Sequence, residues 1–339
     1  MTPAILLAGA MVAALVAYVL LGGADFGGGI WDLIASGPRQ RSQRALIERA
    51  IGPIWEANHV WLILVIVLLF AGFPRAFAAI STGLFMPLVI LLVGIVLRGA
   101  AFTFRAYDDR GDAARERWGL AFSASSAGAP LILGLAVGAL AAGKVGARVF
   151  SSPFAISSGF LAVVLFAFLA ANYLAVEAAG SLREDFRHRA LACGFVLFFV
   201  AAATAVLAKN EAPLVFHGLT GRKWSLPLHV ATGTAAVVAL LSLARRRLRV
   251  ARSAAVVQSA LIVLGWAASQ YPYLVVPSVT IESAGAPRNV QVALLGALAV
   301  GAFTLFPSLW LLFRVFKGKR PLAFTDSLFS RRSQLKNGS

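Results

Sequence analysis

The segment GPIWEANHVWLI, residues 52–63, concentrates side chains that can do chemistry. Glu56, Asn58 and His59 fall within one helical turn, flanked by Trp55 and Trp61. Glu56 and His59 are three apart, and Trp55 and His59 four apart, so each pair meets on one helical face. A carboxylate, an amide and an imidazole at one depth are the parts of a proton relay. The plainer alternative is an aromatic-belt anchor on a polar helix start. Trp55 and Trp61 fit that alternative; Glu56 with Asn58 and His59 fit it less well.

Three further charges lie inside or at the ends of apolar runs, where an ionisable group is expensive and is therefore a functional candidate. Asp25 sits in LLGGADFGGGIWDL, about 20 residues or roughly 30 Å into the first run. The glycines around it let neighbouring helices approach and let the helix end unwind, so Asp25 is expected to face protein near one membrane face. A carboxylate wetted by the interface is the alternative. Arg98 closes the third run and is placed to pair with Asp25 or Glu56, or to snorkel to headgroups. Glu177 ends the fifth run as Asp25 ends the first, which suggests an internal repeat or a coincidence of two boundary acids.

The elements that must position these groups are transmembrane helices. The chain has 339 residues, 59% hydrophobic and 13% charged, with a net charge of +17, against about 45–50% and about 25% in soluble domains. A water-soluble fold cannot bury that much apolar surface. The apolar runs are continuous rather than alternating, which excludes a β-barrel. Nine are long enough for a bilayer core of ~30 Å: 4–24, 52–72, 78–99, 119–142, 153–177, 190–208, 226–244, 254–274 and 291–313. The fold class is all-α, a polytopic membrane protein. It is expected to divide into a four-helix unit over 1–142, a second over 153–274, a peripheral helix over 291–316 and a cytoplasmic tail over 317–339. The first run lacks a basic n-region and is too long for a cleaved signal peptide.

The loops after the odd-numbered runs hold 23 of the 31 Lys and Arg residues, and the other loops hold seven. This bias puts the N-terminus outside and the C-terminus in the cytoplasm. The charge is thus a topology signal with some attraction to anionic lipid, and short loops argue against nucleic-acid binding. The loops leave no room for a separate soluble domain. The single Cys193 forms no internal bridge. The four histidines offer no pair at matched depth for a bis-His haem, although a haem on His59 alone stays open. Zinc-type spacing, a P-loop, a dinucleotide fingerprint and a nucleophile elbow are all missing.

Read in order, LLGGADFGGGIWDL, then the block from IERAIGPIWEANHVWLI to FMPLVILL, then LRGAAFTFR resemble subunit II of cytochrome bd-type quinol oxidases. GPIWEANHVWLI is the most specific part, with the Phe73–Pro74 turn and the Arg98…Arg105 spacing. NYLAVEAAGSLR at 172–183, QYPYLVVPS at 270–278 and FPSLWLLFRVFKGK at 306–319 match later landmarks. The resemblance implies a complex that oxidises quinol and reduces oxygen to water. Two b-type haems and one d-type haem are then in subunit I, as is the quinol site. This chain would hold no haem or metal of its own, with a quinone as a structural ligand at most. Its partners would be subunit I, small single-helix subunits, membrane lipid and, through subunit I, quinol.

By position, Glu56 matches the acid that the family assigns to a cytoplasmic proton route, and Asp25 the second acid of an Asp-Gly-Phe-Asp-like motif. Gly22 and Ala24 replace that motif's first acid and its Phe, and Thr103 stands where an acid is common. The expected site is therefore a route through Glu56, His59, Asn58 and Asp25, supported by Trp55, Trp61, Arg98 and Glu177. A secondary transporter or channel, or a pure assembly scaffold, are the competing readings. Acids near one face rather than the midplane disfavour transport.

Overall fold

The structure is a computed structural model that describes residues 2–51, 55–107 and 112–317; the side chains of 52–57 and 106–112, and several near the end of the last helix, are outside that description. Its first compact unit runs to Ala286 and its second from Pro287. Among the described residues there are thirteen α-helices and one two-stranded hairpin. They are α1 (Pro3–Leu33), α2 (Gln40–Ile51), α3 (Trp55–Gly72), α4 (Pro74–Gly83), α5 (Phe85–Tyr107), α6 (Asp112–Ala141), α7 (Pro153–Glu177), α8 (Gly180–Glu211), α9 (Pro213–Gly221), α10 (Ser225–Ala244), α11 (Leu248–Gln270), the antiparallel pair β1 (Tyr273–Val275) and β2 (Val279–Thr280), α12 (Ile281–Ala284) and α13 (Arg288–Lys317). Among the described residues eight helices are long and apolar enough to cross a membrane, or up to nine if α3 and α4 together count as one broken span.

Proline punctuates the bundle. Pro3 and Pro153 occupy first turns behind side-chain caps from Thr2 and Ser152, where the missing amide hydrogen costs nothing. Pro74 opens α4 after Phe73 leaves helical geometry, and the chain bends by 116°. The bend is clasped from below: Arg75 Nη1 donates to the Ser283 carbonyl at 3.0 Å, and the Ala286 amide donates to the Gly72 carbonyl at 2.8 Å. The apolar run expected over 78–99 therefore divides. Residues 78–83 belong to the bent helix α4, and the third span is α5, which starts at Phe85. Hydropathy averaged over the length of a span does not resolve a helix as short as α4 from the apolar helix that follows it.

Three other expectations are corrected. The first span does not unwind at its glycines; α1 stays helical to Leu33. A Cβ on Gly27 would overlap the Phe166 carbonyl oxygen of α7 and meet the Ala170 Cβ at 2.6 Å, and one on Gly29 would overlap the Ser126 side chain of α6. The glycines are a packing face that brings three backbones together. The eighth run stops at Gln270 rather than 274, because Pro272 and Pro277 lie in the hairpin that follows. The segment between the first two runs, read as loop, contains α2. Its Leu46, Ile47, Ala50 and Ile51 follow a helical period and are buried in the main core.

That core is centred on the second half of α1 and on α7, with Phe26, Ile30, Trp31, Phe166, Phe168 and Leu169 among its members. Trp31 Nε1 donates to the Ala167 carbonyl at 2.9 Å. Large apolar side chains elsewhere point outward, such as Phe195, Phe198 and Phe199 on α8 and Ile63, Ile66 and Phe70 on α3, as expected where the surroundings are lipid or another membrane subunit. In the second unit, α13 exposes Val300 and Phe303.

Candidate functional site

Asp25 lies eight residues inside the C-terminal end of α1, roughly 12 Å along the axis, and is completely buried. It is not at the end of the helix, because α1 continues past the glycines. Its two oxygens have different partners. Arg98 Nη2 donates to Oδ1 at 2.5 Å, and Asn58 Nδ2 donates to Oδ2 at 2.6 Å. Helices α1, α3 and α5 thus meet on one carboxylate.

Arg98 is 1% exposed. It pairs with Asp25. Its Nε donates to Ser126 Oγ at 2.9 Å, and that hydroxyl donates to the Phe122 carbonyl at 2.7 Å. The guanidinium carbon stands 4.5 Å from the Phe26 ring centroid and 4.9 Å from that of Phe122. A guanidinium so enclosed is held by charge, hydrogen bonds and ring faces together. It does not snorkel.

Asn58 is also fully buried, and its Oδ1 accepts no hydrogen bond among the described residues. An amide that gives Nδ2 to a carboxylate therefore offers a free acceptor to a proton-bearing neighbour. His59, next along α3, is half-buried. The side chains of Trp55 and Glu56, the acid at the centre of the expected relay, lie outside the described residues. Trp61 packs on the main core. Glu177 is set apart: it ends α7, is 40% exposed and reaches Arg252 at 3.7 Å, and it is not among the partners of Asp25.

A second group was not singled out from the sequence. Asp32 stands two helical turns beyond Asp25 on α1 and is 2% exposed. Arg105, two turns beyond Arg98 on α5, reaches Asp32 Oδ2 with Nη1 at 3.1 Å. Ser123 Oγ donates to the same oxygen at 2.6 Å. The other terminal nitrogen of Arg105 lies 3.9 Å from Glu48 Oε2 on α2, and Arg44 Nε lies 3.8 Å from Asp32 Oδ1. The two groups are successive rungs between α1 and α5, each with a serine of α6. The signal was present: Asp25 to Asp32 and Arg98 to Arg105 are both seven residues apart, which returns each pair to one helical face.

Among the described residues, no three His, Cys, Asp or Glu side chains gather as a metal-binding group. His229 Nδ1 lies 2.7 Å from the Ser225 carbonyl, and His188 Nε2 2.8 Å from Arg187 Nη2.

With this geometry in view, comparison with known proteins is decisive for the family. The model of the family described as cytochrome bd terminal oxidase subunit II matches residues 3–316. A putative cytochrome bd menaquinol oxidase subunit II of Bacillus subtilis (strain 168) is 25% identical over 321 residues, 88% of this chain and 91% of that protein. The cytochrome bd-I ubiquinol oxidase subunit 2 of Escherichia coli (strain K12) is 25% identical over 205 residues, 57% of this chain and 53% of that one. In fold, the chain is similar to the bd oxidase from Geobacillus thermodenitrificans, with a TM-score of 0.81, 24% identity and coverage of 94% of this chain and 100% of the other.

Proposed function

The chain belongs to the cytochrome bd terminal oxidase subunit II family, and on that premise we propose that it is the non-haem membrane subunit of a quinol-oxidising complex, with a part in proton uptake. It completes the helical bundle beside a haem-bearing subunit I, which carries two b-type haems and one d-type haem. It also carries protons inward from the cytoplasmic face. The lysine and arginine bias of the loops supports an external N-terminus and a cytoplasmic C-terminus.

The observation that carries the proton role is the buried carboxylate of Asp25, held by Arg98 and by Asn58, which stands two residues from Glu56 in the sequence of α3. Arg98 fixes the charge, and Asn58 orients it while keeping an oxygen free. Glu56 and His59 are the groups that change protonation, and Asp25 sets the local field in which they do so. If the subunit were only a scaffold, Glu56 would be dispensable to turnover.

The test is Glu56→Gln in the assembled complex. Quinol-driven oxygen consumption is expected to fall at least about tenfold, in keeping with loss of a positioned proton carrier, while haem absorbance is unchanged. Equal turnover of variant and wild type would leave assembly as the subunit's only role.

A further inference from the structure

We propose that Asp32 is the port through which protons pass from the Arg-rich surface into the buried end of this route, which rests on the proton-uptake reading above. A cleft of about 460 Å³ opens between α2 and α6, lined by Gln40, Arg44, Glu116, Arg117 and Ser123. On the other side a cavity of about 10 Å³, enough for roughly one water, is lined by Asp32, Glu48, Phe102, Arg105 and Phe122. Asp32 joins the two. Ser123, which lines the cleft, donates to its Oδ2, and Arg44, which also lines the cleft, lies 3.8 Å from its Oδ1.

The hydrogen bonding of Asp32 is incomplete in a way that a purely structural ion pair is not. Oδ2 takes both Arg105 and Ser123, whereas Oδ1 is buried and accepts no hydrogen bond among the described residues. Arg44 Nε, facing it at 3.8 Å, likewise makes none. A water can bridge a polar gap of that length. A proton arriving on such a water leaves its oxygen and bonds to Oδ1, which makes Asp32 a neutral carboxyl. The carboxyl then releases that proton to the cavity water and becomes a carboxylate again.

Arg105 keeps a counter-charge throughout, because it lies between Asp32 at 3.1 Å and Glu48 at 3.9 Å. The charged groups facing Asp32 are Arg44 and Glu48 from α2 and Arg105 from α5; α6 contributes the neutral Ser123. Inward of the cavity stands Phe122, whose ring carries Arg98, the partner of Asp25. The cavity thus ends against the deeper rung.

The experiment uses the whole oxidase complex in liposomes, with proton uptake followed by a pH dye beside oxygen consumption. Asp32→Asn is expected to slow both at least about tenfold with haem absorbance intact, and Asp32→Glu to restore most of the rate. Wild-type rates in Asp32→Asn while Glu56→Gln is slow would overturn the port and leave the relay standing. Wild-type rates in both would overturn the relay and the port with it. If Asp32→Asn fails to assemble because Arg105 is left unpaired, the neutral pair Asp32→Asn with Arg105→Gln decides. A slow assembled complex supports the port. A complex of wild-type rate, or again no complex, reduces the rung to a structural ion pair and overturns the proposal.

Discussion

Asp25 and Arg98 form an ion pair in which neither side chain is more than 1% exposed, and each has a second, neutral partner on a different helix. A buried pair of this kind adds little net stability against an apolar alternative, yet breaking it from one side is costly, because the surviving charge is stranded.

Arg98→Gln, which strands Asp25, should therefore destabilise by about 3–5 kcal/mol. The double change Asp25→Asn with Arg98→Gln should recover most of that loss. The midpoint of thermal loss of the haem spectrum, measured on the purified complex, separates the two outcomes; a double variant as unstable as the single would contradict the pairing.

The glycine face of α1 makes a steric prediction. Gly27→Ala places a methyl group against the Phe166 carbonyl, a backbone atom that cannot step aside, and should abolish or sharply reduce the amount of assembled complex. At Gly22 an added Cβ meets only the rings of Tyr18 and Phe26, both at 3.6 Å, which is ordinary contact. Gly22→Ala should assemble normally. Similar yields for both variants would refute the close approach of α1 and α7.

Trp31→Phe removes one buried hydrogen bond, to the Ala167 carbonyl, while keeping most of the ring. A loss of about 1 kcal/mol is expected, seen as a modestly lower thermal midpoint with turnover unaffected.

The pair Arg39–Asp185 provides a contrast at the surface. Arg39 Nη2 lies 2.6 Å from Asp185 Oδ1, but the arginine is half exposed. The neighbouring carboxylate, through its hydrogen bond first and its charge second, holds the Arg39 pKa above the usual guanidinium value. Such a group is protonated in folded and unfolded chains alike until strongly alkaline conditions, so it adds no pH dependence to stability near neutrality. Arg39→Ala should leave the thermal midpoint close to wild type, and any difference should shrink with added salt. A salt-independent drop would show that the pair is more than a solvated contact.

Orientation is open to a direct check. Fluorescent-protein fusions after Lys317 should fluoresce, since the reporter would fold in the cytoplasm, and fusions at the N-terminus through the Sec route should be dark. The reverse pattern would overturn the reading of the loop charges.

The membrane class and most helices are legible in the sequence because bilayer thickness imposes one long apolar run per span. What was not legible follows from the same rule. α4 is too short to show as a break in hydropathy averaged over a span, and α2 is too polar to register, although Leu46, Ile47, Ala50 and Ile51 carry a helical period. At the site, Asp25, Asn58 and Arg98 were each singled out, but only packing decides that one carboxylate receives both donors. Asp32 lies eight residues beyond the apolar run 4–24, so hydropathy alone gives it no place in the site. Once α1 is continued to Leu33, the spacing of seven to Asp25 puts the two acids on one face.

The deep seat of Asp25 also constrains how the protein is made. Synthesis proceeds from the N-terminus, so this acid enters the bilayer 33 residues ahead of Asn58 and 73 ahead of Arg98. The glycine face waits longer still, for Phe166. Until α5 emerges from the ribosome, the first helix carries this acid without its arginine.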